Sequence, residues 1–422
     1  MSIAVITMGE TLGKFPVLEH CCYGLSEKKH FPVEAALFYS ALKGKGIKTK
    51  FFDGNLISEE EIIASLKKER WKKIMYYTYT PYIKHKSKFL EKMAEIAELN
   101  LIIMPYFWKE KILKEFPFVK NVFYDGERAM NINIKDTKIN YEEFDLSPYS
   151  IRYSFPVLIS KYCPYSCTYC NAQRTGLMER DLEIVEEELN YLKDLGFKKF
   201  RLCGNNLTMN KKKFLQICAI MKKLGVEWSG DGRVNHMTKD MYQPLKESKG
   251  ILLFGIESAN LGVLNEMKKD IEINQAINVA NEFNHRKIPF RYEFMFGFPE
   301  DSYSTFKEMV DLRKKVGALN YHCNVLAAYP DTPIFEKMKK LKLIDENKLN
   351  FEDFSWINAP VAPTLYLSKE EIENLSKKIM VLGIFNKNVI KNMLKTKKIG
   401  EYPTIASRGL KLLIYGKRIW RK

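Results

Sequence analysis

The segment Lys161-Tyr-Cys-Pro-Tyr-Ser-Cys-Thr-Tyr-Cys170 carries Cys163, Cys167 and Cys170 in a C-x3-C-x2-C spacing. It follows the apolar run 155–159, so we expect a buried strand to deliver three thiols into one short loop. Four cysteines close an iron–sulfur cluster, whereas three leave one iron open for chemistry. The alternatives are a zinc site or a chance arrangement. Zinc sites usually combine two cysteine or histidine pairs, and no second pair stands at a matching distance, so the pattern favours the cluster.

Size and composition indicate a globular protein of more than one domain. The chain has 422 residues, of which 46% are hydrophobic and 28% charged. We expect two domains and a tail, because one core rarely grows to this length. No apolar run reaches the length of a membrane span, and the start of the chain lacks the basic region of a signal peptide. The sequence therefore predicts a cytoplasmic protein without a transmembrane segment, whose cysteines stay reduced.

The formal net charge of +17 raises the question of a nucleic-acid partner. Such binding needs basic residues concentrated on one face with aromatic side chains between them. Here the lysines are scattered along expected helices, which is typical of a solvated surface, so we do not expect nucleic acid. The densest basic cluster, residues 408–422, is amphipathic and is expected to pack on the body of the protein; an anionic membrane surface or an acidic partner is the alternative.

Residues 1–127 alternate strand and helix signals, which predicts a doubly wound parallel sheet of the Rossmann type. Ligands of such sheets bind at the carboxyl ends of the strands. Residues 128–150 carry few regular signals and are expected to form a linker. The expected strands lie at residues 3–8, 47–52, 73–80, 100–105 and 121–124.

Residues 151–365 repeat the strand-then-helix pattern about six times, which predicts a partial (β/α)6 barrel with its chemistry at the carboxyl ends of the strands. Residues 366–422 are expected to form a small helical C-terminal domain that ends in the basic tail. The fold class is thus α/β, with a small helical domain at the C-terminus. The expected barrel strands lie at residues 155–159, 199–203, 227–230, 250–255, 290–295 and 322–327.

The three cysteines, with the aromatic Tyr169 before the last of them, resemble the loop of the radical S-adenosylmethionine (radical SAM) superfamily. The resemblance implies a [4Fe-4S] cluster held by Cys163, Cys167 and Cys170, whose fourth iron binds the methionine moiety of S-adenosylmethionine. Reductive cleavage would yield a 5'-deoxyadenosyl radical that abstracts hydrogen from the substrate. It also implies an external one-electron reductant of the flavodoxin or ferredoxin type and a small-molecule or peptide substrate.

The loops after the barrel strands supply further candidates. Cys203-Gly-Asn-Asn206 stands where the superfamily binds the methionine amino group, so Gly204, Asn205 and Asn206 are expected there; an ordinary turn of Gly and Asn is the alternative. Arg233 is expected to pair with the methionine carboxylate through two parallel hydrogen bonds, with a surface salt bridge as its alternative.

Two more segments match the subgroup's pattern. Phe254-Gly-Ile-Glu-Ser resembles its G-x-E-S motif, so Glu257 and Ser258 are expected to face the adenosine or methionine end of the ligand. Phe296-Gly-Phe-Pro resembles an apolar-x-G-x-P turn, in which Gly297 would let the chain pass close to adenine.

The first domain resembles the cobalamin-binding domain of the B12-dependent radical SAM enzymes. The matching phrases are Pro32-Val-Glu-Ala-Ala-Leu, Gly46-Ile-Lys-Thr-Lys-Phe-Phe-Asp53 and Phe123-Tyr-Asp-Gly-Glu127. Cobalamin is therefore the further cofactor that the resemblance implies. The D-x-H-x-x-G motif that offers a lower cobalt ligand is missing, and the loop after the fourth strand carries Tyr106, Phe107 and Trp108 instead of paired glycines. These aromatic side chains either stack on a flat ligand or fill the pocket.

The resemblance favours methyl transfer to an unactivated carbon. A rearrangement, cyclisation or oxidation without cobalamin is the first alternative. The others are a binding protein that carries a cluster or cobalamin without turnover, and an enzyme that modifies RNA. The loop 10–31 carries His20, Cys21, Cys22 and His30, which are candidates for a lid, an axial ligand or a substrate contact unless the loop is an ordinary surface excursion.

Overall fold

The computed structural model describes residues 1–9, 11–12, 15–16, 30–149, 154–161, 163–171, 178–316, 320–354 and 360–384. His20, Cys21, Cys22, the basic segment 408–422 and most of the expected helical C-terminal domain lie outside these residues. Within them, no helix is long and apolar enough to cross a membrane.

The N-terminal part of the chain forms a parallel sheet with helices between its strands. The strands are β1 (Ser2–Thr7), β4 (Lys48–Asp53), β5 (Lys73–Tyr79), β6 (Glu98–Met104) and β7 (Val119–Phe123), while β2 (Thr11–Leu12) and β3 (Phe15–Pro16) form a separate antiparallel pair. The sheet order is β4-β1-β5-β6-β7. The helices are α1 (Val33–Gly44), α2 (Glu59–Leu66), α3 (Ser87–Ala94), α4 (Lys109–Glu115) and α5 (Gly126–Met130).

Local sequence explains these elements. Helix α2 begins at a capping box, in which Ser58 and Glu61 satisfy each other's backbone N–H groups. Strand β1 is buried along five of its six residues, as expected for a central parallel strand covered on both faces. The order of the sheet is that of a doubly wound fold, so the predicted Rossmann-like architecture is confirmed.

The second sheet has six parallel strands, each paired with its neighbours in sequence, in the order β13-β12-β11-β10-β9-β8. They are β8 (Phe155–Leu158), β9 (Lys199–Cys203), β10 (Glu227–Gly232), β11 (Gly250–Glu257), β12 (Phe290–Phe296) and β13 (Asn320–Val325). The helices are α6 (Leu182–Asp194), α7 (Lys211–Leu224), α8 (Lys239–Glu247), α9 (Leu261–Met267), α10 (Ile273–Arg286), α11 (Tyr303–Val316), α12 (Pro333–Lys340) and α13 (Lys369–Ile384). The predicted partial barrel is confirmed.

Aromatic side chains pack the two sheets together. Phe107, which is fully buried, stacks on Tyr329 of the barrel at 5.5 Å between ring centroids and meets Phe354 at 4.9 Å. Trp108 packs edge-on against Phe354 and donates a hydrogen bond to Glu346. Phe107 and Trp108 therefore fill the boundary between the sheets, and of the three aromatic residues in this loop only Tyr106 is half-buried.

The connection between the sheets is anchored at both ends. Arg180, just before α6, forms a fully buried ion pair with Glu188, and its guanidinium also donates to the carbonyl of Thr137. At the other end, the Tyr149 hydroxyl donates to Asp53 at the carboxyl end of β4. Because buried charges are tolerated only when paired and hydrogen-bonded, these contacts hold residues 137–149 against both sheets.

Candidate active site

The loop after β8 presents the three expected thiols at the carboxyl edge of the barrel. Cys167 is buried, with its sulfur 3.7 Å from the carbonyl oxygen of Lys268, while Cys163 and Cys170 are half-buried. The backbone N–H of Cys170 donates to the carbonyl of Cys167, which tightens the turn between the last two cysteines. None of the three is part of a disulfide bond.

The donor set suits an iron–sulfur cluster, because three cysteine thiols from one short loop can each ligate a different iron. Next to Cys170, both polar atoms of the Asn171 amide are buried without a hydrogen-bond partner in the described part of the chain. A buried amide of this kind calls for a polar group beside it, and the sulfurs of a cluster provide one.

Tyr169 lies in a buried network with Glu257 and Lys269. Its hydroxyl donates to Glu257 at 3.1 Å, and the Lys269 ammonium lies 2.8 Å from the same carboxylate oxygen. Burial, reinforced by Glu257, raises the pKa of Tyr169 well above its usual value, so the phenol stays protonated. We call residues 161–170, which carry the three cysteines, the cluster loop. Its aromatic residue Tyr169 is thereby fixed to the end of β11.

The end of β11 has an unusual backbone conformation. Glu257 has a φ of +67°, a left-handed geometry that non-glycine residues rarely adopt. A Cβ added to Gly255 would lie 2.4 Å from Oε1 of Glu257 and 2.9 Å from Nζ of Lys269, so the glycine makes room for the ion pair. Strain of this kind clusters at functional sites. Ser258 is fully buried and accepts a hydrogen bond from the N–H of Asn260, which places it in the turn.

The loop after β9 packs against the start of the cluster loop and forms a hydrogen bond with it. The Asn205 amide donates to the carbonyl oxygen of Lys161 at 2.8 Å. A Cβ on Gly204 would lie 2.8 Å from the Ser160 hydroxyl, so the glycine allows close packing against the start of the cluster loop. Asn206 is buried, accepts a hydrogen bond from Thr208 and lies 3.3 Å from Nδ1 of His236.

Arg233 follows β10 and is buried against the cluster loop. Its guanidinium carbon lies 3.6 Å from the ring centroid of Tyr165, in cation–π geometry. Nη2 of the guanidinium donates to the backbone carbonyls of Lys269 and Asp270, and Nε donates to Oδ1 of Asn235 at 3.3 Å. The hydroxyl of Tyr165 lies 2.6 Å from Nε2 of His236. Burial, and then the charge of Arg233, lower the pKa of His236, which keeps its imidazole neutral near pH 7.

Gly297 turns the chain after β12 with a φ of +115°, which favours glycine. The N–H groups of Gly297 and Phe298 both donate to the carboxylate of Asp301 at 2.9 Å. Asp301 is fully buried, and burial outweighs these bonds and raises its pKa to about 6. The buried carboxylate therefore fixes the shape of this turn.

The N-terminal sheet reaches the cluster loop through an ion cluster. Lys161, the first residue of the segment that carries the cysteines, is buried, with its ammonium 3.0 Å from Glu127 and 3.1 Å from Glu34. Burial alone would lower the pKa of Lys161, but the two carboxylates raise it above its usual value, so the lysine stays charged. The carboxyl end of the first sheet thus lies against the start of the cluster loop.

The predicted site residues follow strands β8 to β12 at one edge of the barrel: Cys163, Cys167, Tyr169, Cys170, Gly204, Asn205, Asn206, Arg233, Glu257, Ser258 and Gly297. Their individual roles remain predictions. Sequence reasoning missed Lys161, Tyr165, His236 and Lys269, although two of these stand inside the cysteine segment. No sequence signal distinguishes Lys269 from the other lysines of the chain, and its role becomes visible only through its ion pair with Glu257.

Comparison with known proteins agrees with this geometry. Residues 157–313 match the family described as the Radical SAM superfamily. The chain is similar to bacteriochlorophyllide d C-12(1)-methyltransferase of Chlorobaculum tepidum, with 29% identity over 46% of this chain and 45% of that protein. It is also similar to an uncharacterized methyltransferase of Pyrococcus horikoshii, with 25% identity over 53% of this chain and 50% of that protein. The chain spans about half the length of these curated relatives.

Two solved structures share the fold. The first is the cobalamin-dependent S-adenosylmethionine radical enzyme OxsB with aqua-cobalamin and S-adenosylmethionine bound. It superposes with a TM-score of 0.66 at 13% identity, over 96% of this chain and 70% of that one. The second is the radical S-adenosylmethionine methyltransferase TsrM of Kitasatospora setae with cobalamin and a [4Fe-4S] cluster bound. Its TM-score is 0.61 at 10% identity, over 81% of this chain and 75% of that one.

Proposed function

We propose that the chain is a cobalamin-dependent radical SAM methyltransferase acting on an unactivated carbon, because residues 157–313 match the Radical SAM superfamily and the fold is shared with two cobalamin-dependent enzymes of that type. The observation that carries the proposal is the contact between Lys161 and the two glutamates, Glu34 and Glu127. Through it, the ligand-binding edge of a doubly wound sheet lies against the loop that carries the three cysteines. Two cofactor sites built on separate sheets would then face one another.

Cys163, Cys167 and Cys170 would hold the [4Fe-4S] cluster. When bound, the cluster and S-adenosylmethionine would supply the hydrogen-abstracting chemistry, and cobalamin would supply the methyl group. The chain's own residues bind and orient these groups. Arg233 would offer its remaining N–H groups to the methionine carboxylate, and the Glu257–Lys269 pair fixes Tyr169 within the cluster loop. Gly297 and Ser258 shape the turns that flank the nucleotide.

The carboxyl edge of the N-terminal sheet is the proposed place for cobalamin. Phe107 and Trp108 leave this edge free, since both pack into the barrel, and the half-buried Tyr106 approaches Tyr124 at 6.0 Å between ring centroids. The backbone of His30 also lies at this edge, because its carbonyl accepts a hydrogen bond from Asn55. The residues present therefore suit a ligand held by backbone and tyrosine contacts.

We further propose a small-molecule or peptide substrate and an external one-electron reductant of the flavodoxin or ferredoxin type. A radical rearrangement, cyclisation or oxidation without methyl transfer is the second candidate, because the barrel residues alone would serve it equally well.

Product analysis separates the two candidates. After anaerobic reconstitution with iron, sulfide and hydroxocobalamin, the methyltransferase forms S-adenosylhomocysteine and 5'-deoxyadenosine in equal amounts per product, and cobalamin stays bound after gel filtration. Formation of 5'-deoxyadenosine without S-adenosylhomocysteine, by a protein that retains no cobalamin, would instead favour the second candidate.

A further inference from the structure

Tyr165 lies within the cluster loop, between Cys163 and Cys167, and its ring is stacked beneath the Arg233 guanidinium at 3.6 Å. Its hydroxyl and the guanidinium are therefore neighbours at the carboxyl edge of the barrel. Tyr165 is half-buried, so its hydroxyl lies between the protein interior and the open edge.

A chain of hydrogen bonds determines whether the Tyr165 hydroxyl donates to His236 or accepts from it. The backbone N–H of Arg233 donates to Thr208 at 2.9 Å, and the Thr208 hydroxyl donates to Oδ1 of Asn206 at 3.0 Å. The amide nitrogen of Asn206 is thereby turned toward Nδ1 of His236, 3.3 Å away. An amide nitrogen can only donate, so Nδ1 of His236 accepts.

The tautomer of His236 follows from this. A neutral imidazole carries one N–H, and with Nδ1 accepting, the proton resides on Nε2. Nε2 then donates to the Tyr165 oxygen, 2.6 Å away. The phenol accepts this bond and keeps its own O–H proton for another group. Among the described residues no acceptor for that proton is found.

We propose that the Tyr165 hydroxyl donates a hydrogen bond to the carboxylate of the methionine moiety of S-adenosylmethionine, beside Arg233. The inference rests on the proposed function insofar as it requires that co-substrate. A carboxylate is the group that suits this position, because it can accept both from the O–H proton that Tyr165 retains and from the N–H groups of Arg233 that do not donate to Asn235, Lys269 or Asp270. Thr208, Asn206 and His236 act as positioning residues, since they reach the ligand only through Tyr165.

Binding of S-adenosylmethionine and of its decarboxylated analogue to the cluster-reconstituted full chain tests the inference by equilibrium dialysis. Tyr165→Phe keeps the ring under Arg233 and removes only the hydroxyl. We expect S-adenosylmethionine to bind roughly tenfold more weakly to this variant, as is typical for the loss of a hydrogen bond to a charged group. Affinity for the decarboxylated analogue should not change.

The controls are matched. Tyr39→Phe removes a hydroxyl on α1 that donates to Glu143 in the segment between the sheets, and should leave both affinities as they are. His236→Leu should weaken S-adenosylmethionine binding in the native background but have no additional effect beside Tyr165→Phe, because it acts through the same hydroxyl. Iron content and visible absorbance should match the unmodified protein in every variant.

An unchanged affinity for S-adenosylmethionine in Tyr165→Phe, or an equal loss of affinity for both ligands, would overturn the inference. The proposed function would still stand if the native protein cleaves S-adenosylmethionine and transfers the methyl group. If the reconstituted native protein binds no S-adenosylmethionine at all, the proposed function fails and the inference with it.

Discussion

The ammonium group of Lys161 lies 3.0 Å from the carboxylate of Glu127, across the boundary between the two parallel sheets. Glu34 contacts the same ammonium at 3.1 Å. The segment that carries the cysteines is therefore attached to the N-terminal sheet by a buried charge at its first residue. This contact fixes the distance between the two proposed cofactor sites.

Lys161→Met tests that attachment. Removing the cation leaves two carboxylates close together in a largely buried place, so we expect the free energy of unfolding to fall by about 3 kcal/mol. Urea denaturation of the iron-free chain measures it. Lys138→Met, which removes an exposed ion pair with Glu187, should cost less than about 1 kcal/mol. Equal losses in the two variants would mean that Lys161 contributes no more than a surface charge.

The Glu257–Lys269 pair should be coupled energetically. Each of Glu257→Gln and Lys269→Met leaves an unpaired buried charge and should cost about 3 kcal/mol, whereas the double variant should lose clearly less than the sum. A double-mutant cycle by urea denaturation gives the coupling energy. Strictly additive losses would contradict the pairing seen here.

Asp301 should make stability fall as pH rises. Its pKa is raised to about 6 from the usual 3.8, so the folded state favours the protonated acid. The associated stability is present below the unfolded pKa and is lost as pH rises through the folded pKa, by about 3 kcal/mol in total. Asp301→Asn can accept the same backbone N–H bonds without titrating. The stability of the native chain should therefore decline relative to this variant from about pH 4 to about pH 7. A constant difference between the two across that range would refute the assignment.

Phe107→Ala distinguishes a packing side chain from one that stacks on a cofactor. Because Phe107 is fully buried between the sheets, its truncation should lower the free energy of unfolding by about 3 kcal/mol. The affinity of the folded protein for hydroxocobalamin, measured by absorbance titration, should stay within about twofold of the native value. A twofold change in affinity is smaller than the change expected from the loss of one hydrogen bond to the ligand. Retained stability together with lost cobalamin affinity would place the ring at the cofactor instead.

Much of the fold could be read from the sequence because its signals are local. The apolar runs predicted the five strands of the first sheet and the six of the second within a few residues. The boundary between α3, which ends at Ala94, and β6, which begins at Glu98, is harder to predict. The helical pattern and the apolar start of the strand overlap there, and periodicity alone cannot divide them.

The site was only partly predictable for the opposite reason. The three cysteines lie within eight residues, and this spacing predicts a shared ligand. Tyr165 and His236, by contrast, are in contact although 71 positions separate them in the sequence. Contacts of this kind depend on which strands become neighbours. The same holds for Phe107 and Trp108, for which the sequence left open stacking on a ligand or filling a pocket, and the packing against the barrel decided between them.

The central claim is that Cys163, Cys167 and Cys170 together hold a [4Fe-4S] cluster. Its most direct test is iron and sulfide content, with absorbance near roughly 400 nm, where such clusters absorb. These are measured after anaerobic reconstitution of the native chain, of a variant with all three residues changed to alanine, and of Cys218→Ala as the buried-cysteine control. We expect the native chain and Cys218→Ala to bind the same amounts of iron and sulfide and to show the same absorbance. The triple variant should bind neither iron nor sulfide. A colourless native protein, or one that holds a single zinc ion at these thiols, would contradict the account.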